Sequence, residues 1–262
     1  MATMNRALVT GAGKRLGREM ALCLARRGLD VAVHYASSES GAEEVVAEIR
    51  ALGRQAVALQ ADLTVDEQTA ALLPAAAEAL GGPVDCLVNN ASIFDNDTLM
   101  SATRETWDRH MQCHLRAPFL LIQALAAQGF EPATDENGEP LATALVVNMV
   151  DQSVRKLTPG FMTYTLSKAA LWTLTQTAAQ ALAPAIRVNA IGPGPTIRAT
   201  RQREEHFAAQ RAGTVLQRGS NPSDIVAALA YFLDAPAVTG QLLCVDGGQH
   251  LGWQTPDIPD HL

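Results

Sequence analysis

The sequence predicts an α/β protein, a single Rossmann-like doubly wound domain with a seven-stranded parallel sheet flanked by helices. Two observations predict this fold. Short apolar runs alternate with longer helical patterns along the chain, as in proteins built from strand–helix–strand units. A turn with glycines at 11, 13 and 17 also joins the first apolar run to the first helical stretch. The chain has 262 residues, of which 48% are hydrophobic, and no linker-like stretch divides it, so residues 1–262 are expected to form one domain.

The elements follow in order. Apolar, β-type runs predict seven strands, over residues 6–10, 31–35, 56–60, 84–88, 144–150, 186–191 and 242–245. Helical patterns predict six helices, over residues 18–28, 40–52, 65–80, 103–128, 161–182 and 222–233. Pro118 predicts a kink or break in the fourth of these helices.

Three segments carry no strong pattern. Residues 130–141 contain Pro, Gly and acidic residues and are expected to form an exposed loop. The polar, Arg-rich residues 197–217 form either a mobile lid over a substrate or a solvated helix. The tail, 253–262, is rich in Pro and Asp, so both disorder and packing on a partner subunit are open.

The composition argues against several classes of partner. The net charge is −7, and no block of Lys and Arg occurs, so nucleic acid and anionic membranes are not expected partners. No apolar run reaches the roughly 20 residues that span a bilayer. The N-terminal residues lack a secretory pattern, and the four cysteines form no CxxC pair. We therefore expect a cytoplasmic protein without a metal site.

The glycine turn is typical of a site for dinucleotide phosphate. Glycines let the backbone approach a pyrophosphate, and the following helix offers free N–H groups and the positive end of its dipole. The end of the second strand would meet the adenosine ribose, where a carboxylate favours NAD. Tyr35 lies there instead, and Lys14, Ser37 and Ser38 could bind a 2′-phosphate. These residues favour NADP, unless Lys14 is solvated and both cofactors are accepted.

Polar residues follow two further strands. Asp62 follows the third strand and could accept a hydrogen bond from the adenine amino group, or could cap the next helix. Asn89 and Asn90 follow the fourth strand, where they can satisfy loose backbone groups and hold a ribose. The carboxyl ends of the strands are where ligands bind in open α/β sheets.

Three residues late in the chain are candidates for the chemistry. Tyr164 and Lys168 are four residues apart, so on a helix they share one face. An ammonium beneath a phenol would lower the pKa of the tyrosine, which could then pass a proton near neutral pH. Asp151 ends a buried apolar run and is expected at the carboxyl end of a strand.

Together these motifs resemble the short-chain dehydrogenase/reductase family over almost the whole chain. The similar segments are T-G-A-G-K-R-L-G at 10–17, Asp62, N-N-A at 89–91, Y-x-x-x-K at 164–168, P-G at 193–194 and D-G-G at 246–248. The resemblance implies nicotinamide chemistry, with Tyr164 as general acid and Lys168 holding the nicotinamide ribose, and a homotetramer or homodimer. The cofactor-binding residues that it implies, together with those above, are Gly11, Lys14, Arg15, Leu16, Gly17, His34, Tyr35, Ser37, Ser38, Asp62, Leu63, Asn89, Ala91, Lys168, Pro193, Gly194 and Thr196.

The sequence departs from the family pattern at two positions. The family's usual catalytic serine, thirteen residues before the tyrosine, is Asp151 here, and its usual asparagine in the long central helix is His114. An ionised carboxylate only accepts hydrogen bonds and would repel a developing oxyanion. Asp151 therefore fits a substrate that presents N–H groups or takes its proton on nitrogen.

One branch of the family has this aspartate, and the chain resembles it: the pteridine reductases and the related dihydromonapterin reductases. The similarity rests on T-G-A-x-K-R-L-G, on H-Y at 34–35, on N-N-A-S, on N-M-V-D at 148–151 and on A-P-x-I-R-V-N at 183–189. Ser37 departs from it, since an arginine often follows H-Y there. The resemblance implies that the pterin contacts Arg15, Ser92, Phe94, Asp151 and Tyr164.

The interpretation is an NADPH-dependent reductase of a pterin or a related conjugated C=N compound, a small-molecule substrate. Phe94 would stack on one face of the flat pterin, unless it is a core residue, and Arg15 would read its edge, unless it binds only phosphate. Two alternatives stay open: a carbonyl reductase of the same family that uses Ser153 or a water, and a non-catalytic cofactor-binding protein.

Overall fold

The computed structural model describes residues 4–199 and 202–253, and it contains the predicted sheet. Its seven strands are β1 (Arg6–Val9), β2 (Asp30–Tyr35), β3 (Ala56–Gln60), β4 (Cys86–Asn89), β7 (Ala144–Met149), β8 (Ile186–Pro193) and β9 (Leu242–Val245). They lie in the order β3-β2-β1-β4-β7-β8-β9, and every neighbouring pair is parallel. The predicted seven-stranded parallel sheet is therefore confirmed.

Helices cover both faces of this sheet. They are α1 (Arg15–Arg26), α2 (Glu39–Ala51), α3 (Asp66–Ala79), α4 (Arg104–Met111), α5 (Ala117–Ala126), α6 (Met162–Leu182), α7 (Glu204–Ala212) and α8 (Pro222–Asp234). Alternate residues of each strand point to opposite faces. Ala7 and Val9 accordingly join a buried cluster with α1, α2 and α8, whereas Leu8 joins a second cluster with α3, α5 and α6. These two apolar layers hold the helices in place.

The strand order reverses between β1 and β4, which opens a crevice at their carboxyl ends. Thr10 joins the two strand ends there. Its hydroxyl oxygen accepts hydrogen bonds from the backbone N–H groups of Asn90 and Ala91, both at 2.9 Å. The turn after β1 and the loop after β4 are thereby held side by side at the place where a ligand is expected.

The segment expected to be a plain loop contains a short hairpin instead. Strands β5 (Ala133–Thr134) and β6 (Pro140–Leu141) pair antiparallel. The carboxylate of Asp135 accepts hydrogen bonds from the N–H groups of Asn137 and Glu139, and Gly138 adopts a φ of +82°. The segment is exposed, as predicted, and these local bonds close a tight turn within it.

The long helix predicted around Pro118 is irregular, but the irregular turn lies before Pro118 and not at it. A π-helical segment, Gln112–Arg116, joins α4 to α5 without a break in the helical path. Proline lacks an N–H group, and its ring crowds the carbonyl four residues earlier, here that of His114. The wider π turn accommodates this, and such segments occur frequently at functional sites.

Two of the expected segments are only partly described. Within the proposed lid, α7 forms a helix with no buried residue, so that part is a solvated helix. Residues 200–201 of the lid, and all of the tail beyond Trp253, lie outside the described residues. Among the helices of the described ranges, none is long and apolar enough to cross a membrane.

Candidate active site

The glycine turn after β1 packs closely against its surroundings. Gly11 has a φ of +63°, and a side chain there would place its Cβ 3.0 Å from the Cα of Ala91. A Cβ on Gly17 would lie 2.3 Å from the carbonyl oxygen of Gly11. Both positions therefore require glycine, since any side chain would push the turn away from its neighbours.

His34 supports this turn from within the protein. Its Nδ1 accepts a hydrogen bond from the N–H of Gly11 at 3.0 Å, so the proton is on Nε2, which donates to the carbonyl of Ala61 at 3.0 Å. Burial lowers the pKa of this imidazole, which keeps it neutral. The side chain of His34 is buried and both of its nitrogens bind the protein, so it supports the turn, and its contact with the cofactor stays a prediction.

The turn and the first helix fit a dinucleotide. Within the described residues, no side chain caps the N-terminus of α1, and its first turn contains no acidic residue. Its free N–H groups and its dipole are therefore available to a pyrophosphate. The Oδ1 of Asn89, buried at the end of β4, has no hydrogen-bond partner in the described part of the chain. A ribose hydroxyl could satisfy that oxygen.

The other predicted cofactor residues also lie at the carboxyl edge of the sheet. Tyr35 ends β2, followed by the exposed Ser37. Asp62 follows β3 and accepts hydrogen bonds from the N–H and hydroxyl of Thr64, at 2.9 and 2.7 Å. The residue that caps α3 is Val65, so the alternative role of Asp62 as a helix cap was wrong. Its contact with adenine stays a prediction.

Further members of the predicted set line the same edge. The others are Lys14, exposed; Leu16, half-buried; Ser38, half-buried; Leu63, buried; Ala91, half-buried; Pro193, which ends β8; Gly194, whose N–H donates to the carbonyl of Val245 at 3.0 Å; and Thr196, whose hydroxyl donates to the carbonyl of Gly194 at 3.0 Å. Their cofactor contacts stay predictions.

The arginine of the turn has partners that the sequence did not indicate. Arg15 adopts a left-handed φ of +54°. Its guanidinium donates to the backbone carbonyls of Ile197 and Arg198, at 3.0 and 3.1 Å. Arg15 thus ties the beginning of the proposed lid to the glycine turn. Its predicted contacts with phosphate and pterin stay predictions.

Asp151, Tyr164 and Lys168 come together at the end of β7. Asp151 follows the strand, and its Oδ1 accepts a hydrogen bond from the N–H of Ser153 at 2.8 Å. Its Oδ2 accepts one from the hydroxyl of Tyr164 at 3.0 Å. The Nζ of Lys168, one turn further along α6, donates to the carbonyl of Met149 at 2.8 Å and lies 5.7 Å from the centre of the Tyr164 ring.

The electrostatics of this trio differ from the expectation. The pKa of Tyr164 is raised well above its ordinary value by burial, by the charge of Asp151 and by the hydrogen bond to that carboxylate. Burial also lowers the pKa of Lys168 to about 8. The expectation that Lys168 lowers the tyrosine pKa was wrong, because burial and the nearby carboxylate dominate. Tyr164 is therefore a protonated acid at neutral pH.

Two stacked phenylalanine rings lie beside the tyrosine. Phe94 stacks on Phe161 with ring centres 4.4 Å apart, and it meets the Tyr164 ring edge-on at 4.7 Å. Phe94 is 53% exposed, so the alternative that it is a core residue was wrong. An exposed aromatic face next to the reactive hydroxyl can stack on a flat ligand.

Two histidines of the central helix complete the site, and sequence reasoning singled out only one of them. His114 lies with its Nε2 3.0 Å from the hydroxyl of Ser92, the predicted substrate residue. His110, one turn earlier, lies beside it with ring centres 5.4 Å apart. Neither His110 nor Phe161 was predicted. Spacing of four residues on a helix was the one available signal for His110.

Comparisons with known proteins agree with this geometry. A family model described as Enoyl-(Acyl carrier protein) reductase matches residues 11–250. The crystal structure of FolM Alternative dihydrofolate reductase 1 from Brucella suis, in complex with NADP, is 40% identical over 99% of this chain and 100% of that chain, with a TM-score of 0.90. A short chain dehydrogenase from Burkholderia cenocepacia, also in complex with NADP, is 33% identical over 94% and 97% of the two chains, with a TM-score of 0.83.

A curated relative extends the comparison. The 3-oxoacyl-[acyl-carrier-protein] reductase FabG of Staphylococcus epidermidis is 33% identical over 250 residues, which cover 94% of this chain and 98% of that protein. The fold, the glycine turn, the tyrosine–lysine pair and these matches lead to one conclusion. The chain belongs to the short-chain dehydrogenase/reductase family, and it is an oxidoreductase of that type.

Proposed function

We propose that this protein is an NADPH-dependent reductase of a pterin or a related conjugated C=N compound, of the dihydropterin-to-tetrahydropterin type. The hydrogen bond from Tyr164 to Asp151 carries the proposal. A carboxylate beside the proton donor would repel the oxyanion that forms when a ketone is reduced. It would instead attract a substrate that presents N–H groups and takes its proton on nitrogen.

Each residue of the site has a separate role in the proposed reaction. NADPH, when bound, would supply the hydride for the carbon of the C=N bond. Tyr164 holds the proton and donates it to the adjacent nitrogen, so that the bond gains one hydride and one proton in total. Asp151 orients the phenol, and the N–H of Ser153 orients Asp151. The Lys168 ammonium, held by the carbonyl of Met149, would bind the nicotinamide ribose.

The shape of the site supports a flat substrate. The exposed ring of Phe94 would cover one face of a pterin while the nicotinamide covers the other, which is worth about 0.5–1.5 kcal/mol beyond burial. Ser92 and Arg15 would form hydrogen bonds with the amino-pyrimidinone edge of the pterin. The similar protein from Brucella suis is an alternative dihydrofolate reductase in complex with NADP, which agrees with both the cofactor and this substrate class.

The test compares the parent protein with Asp151→Ser. NADPH consumption is followed with dihydrobiopterin, dihydromonapterin and dihydrofolate, beside a panel of ketones. We expect turnover of a pterin by the parent and its collapse in the variant. Turnover of ketones alone, indifferent to residue 151, would leave the fold and cofactor standing and would overturn the pterin proposal.

A second candidate function is reduction of a carbonyl. The Oγ of Ser153 is buried and has no hydrogen-bond partner within the described residues, and it lies two residues from Asp151. It could hold a carbonyl oxygen in place of the family's serine. In that case Ser153→Ala would abolish ketone turnover. Cofactor binding with no turnover of any compound would favour a non-catalytic role, against which the retained Tyr164 and Lys168 argue.

The setting of the enzyme is also a proposal. We infer that it works in the cytoplasm as a homotetramer or homodimer, as the family resemblance implies. Its acidic net charge of −7 is consistent with a small-molecule substrate and does not favour binding to nucleic acid.

A further inference from the structure

We propose that His110 and His114 are positioning residues that hold the loop of residues 92–95 by its backbone, and so set Phe94 against Tyr164. The role of Phe94 in binding a flat substrate rests on the proposed function. The hydrogen bonds from the loop to the two histidines, which we call the clamp, do not depend on it. The two histidines contact the loop on either side of Phe94. His114 Nε2 accepts a hydrogen bond from the N–H of Ile93 at 3.1 Å, and His110 Nε2 accepts one from the N–H of Asp95 at 3.3 Å.

The hydrogen bonds assign one tautomer to His114. Its Nε2 faces a backbone N–H group and must be unprotonated, so its proton is on Nδ1. That nitrogen lies 2.9 Å from the hydroxyl oxygen of Ser167, and the Ser167 hydroxyl donates onward to the carbonyl of Tyr164 at 2.7 Å. In this series of hydrogen bonds, every donor meets an acceptor only when His114 is neutral.

His110 follows the same pattern. Its Nδ1 lies 2.6 Å from the hydroxyl oxygen of Thr163, and the Thr163 hydroxyl donates onward to the buried carboxylate of Asp97. The backbone N–H of Thr163 also donates to Asp97, at 3.1 Å. The loop after β4, the central helix and the beginning of α6 are therefore joined by two parallel chains of hydrogen bonds.

Burial keeps both rings neutral. His110 and His114 are 0% and 1% exposed. Burial and the charge of Lys168 hold the pKa of His114 well below its usual value, and burial lowers the pKa of His110 although Asp95 and Asp97 oppose the shift. The other charged or titratable groups that face the pair are Arg109 and Lys168 near His110, the Tyr164 ring, which meets His110 and His114 edge-on at 6.0 and 5.4 Å, and each histidine beside the other.

The consequence concerns where Phe94 lies. Its backbone neighbours on both sides donate hydrogen bonds to imidazole nitrogens, while its ring stacks on Phe161 and meets the Tyr164 ring edge-on. Loss of one imidazole acceptor frees a backbone N–H and lets the ring move away from the tyrosine. The Nε2 of His114 contacts both the Ile93 N–H and the Ser92 hydroxyl, and its Nδ1 contacts Ser167, so this residue holds the loop at two neighbouring positions.

The test uses a matched pair at one position. A glutamine places its amide oxygen about where Nε2 lies, so His114→Gln can still accept from Ile93, whereas the shorter His114→Asn cannot. Deuterium uptake of the peptide that contains residues 92–98 reports the clamp without substrate. Steady-state kinetics with a dihydropterin report its effect, and NADPH binding by fluorescence checks that each variant is folded.

We expect His114→Asn to raise deuterium uptake of this peptide and to raise KM for the dihydropterin about threefold to tenfold, with kcat changed less, because one backbone hydrogen bond is lost. His114→Gln should remain close to the parent in both. Equal behaviour of the two variants, or unchanged uptake in His114→Asn, would overturn the clamp. If His114→Asn does not fold, His110→Asn against His110→Gln decides in the same way.

The result also separates the clamp from the proposed function. A parent protein that turns over no pterin would refute the proposed function, and deuterium uptake would still decide whether the histidines hold the loop. Altered uptake together with a loss confined to kcat would contradict the role of the clamp in placing Phe94 for substrate binding.

Discussion

The activity of this enzyme should decrease as the pH rises through about 8, the pKa of Lys168. Burial moves this pKa down from 10.5, and the neighbouring Cys113 and Asp151 only partly oppose the shift. A difference of this size corresponds to a net cost of about 3 kcal/mol for the charged form of the lysine. The side chain is 2% exposed, so little solvent remains to screen the effect.

The expected profile follows from this value. If the ammonium must bind the nicotinamide ribose, kcat/KM should be about half its maximum near pH 8 and about a tenth near pH 9, since kcat/KM reports groups of the free enzyme. Tyr164 does not contribute to this limb, because its pKa is raised well above 10. The measurement is kcat/KM for NADPH oxidation with a dihydropterin between pH 6 and 10 or so, in buffers of constant ionic strength.

The control is Lys168→Arg, because a guanidinium stays charged over this range. The variant should lose the decline near pH 8 even if its overall activity is low. A parent profile that stays flat to pH 10 or so, or a decline that persists unchanged in Lys168→Arg, would refute the assignment of the limb to Lys168.

Two further predictions concern the glycine turn. Gly17→Ala should weaken NADPH binding and destabilise the fold by about 1–3 kcal/mol in urea unfolding, because its Cβ would lie 2.3 Å from the Gly11 carbonyl; a variant as stable as the parent would contradict this packing. Lowering the pH through about 6.5 should destabilise the parent by up to about 1.4 kcal/mol per pH unit for each buried neutral histidine. The reason is that the pKa of His34 is lowered in the folded state, so the unfolded state binds more protons at low pH. His34→Gln should show a smaller pH dependence, and an identical slope in the two proteins would exclude His34 as a contributor.

The sequence was sufficient to predict the sheet and the family, and it singled out Asp151, Tyr164 and Lys168, which lie together in the structure. Buried strands such as β7 can be recognised in the sequence as apolar runs. The order of the glycine turn, Tyr164 and Lys168 along the chain indicates the family. The resemblance to pteridine reductases placed Phe94 and Tyr164 in one substrate site, and the two rings are in contact.

What the sequence could not predict depends on contacts between distant residues or on burial. His110 meets Asp95 and Thr163 only after the helix and the loop have packed together, so no local pattern marks it. The pKa of Tyr164 depends on desolvation and on one carboxylate oxygen, neither of which spacing along a helix reveals. Arg15 bonds to the backbone at 197–198, and backbone partners leave no signature in side-chain identity.

The contact between Tyr164 and Asp151 bears on the direction in which the enzyme works. Oxidation of a product would need the phenolate as a base, and that anion would face a carboxylate only 3.0 Å away. At neutral pH Tyr164 is therefore protonated before each reduction, because its pKa is raised well above its ordinary value. We expect the forward and reverse rates to be strongly asymmetric at pH 7 or so, with oxidation becoming measurable only in alkaline solution.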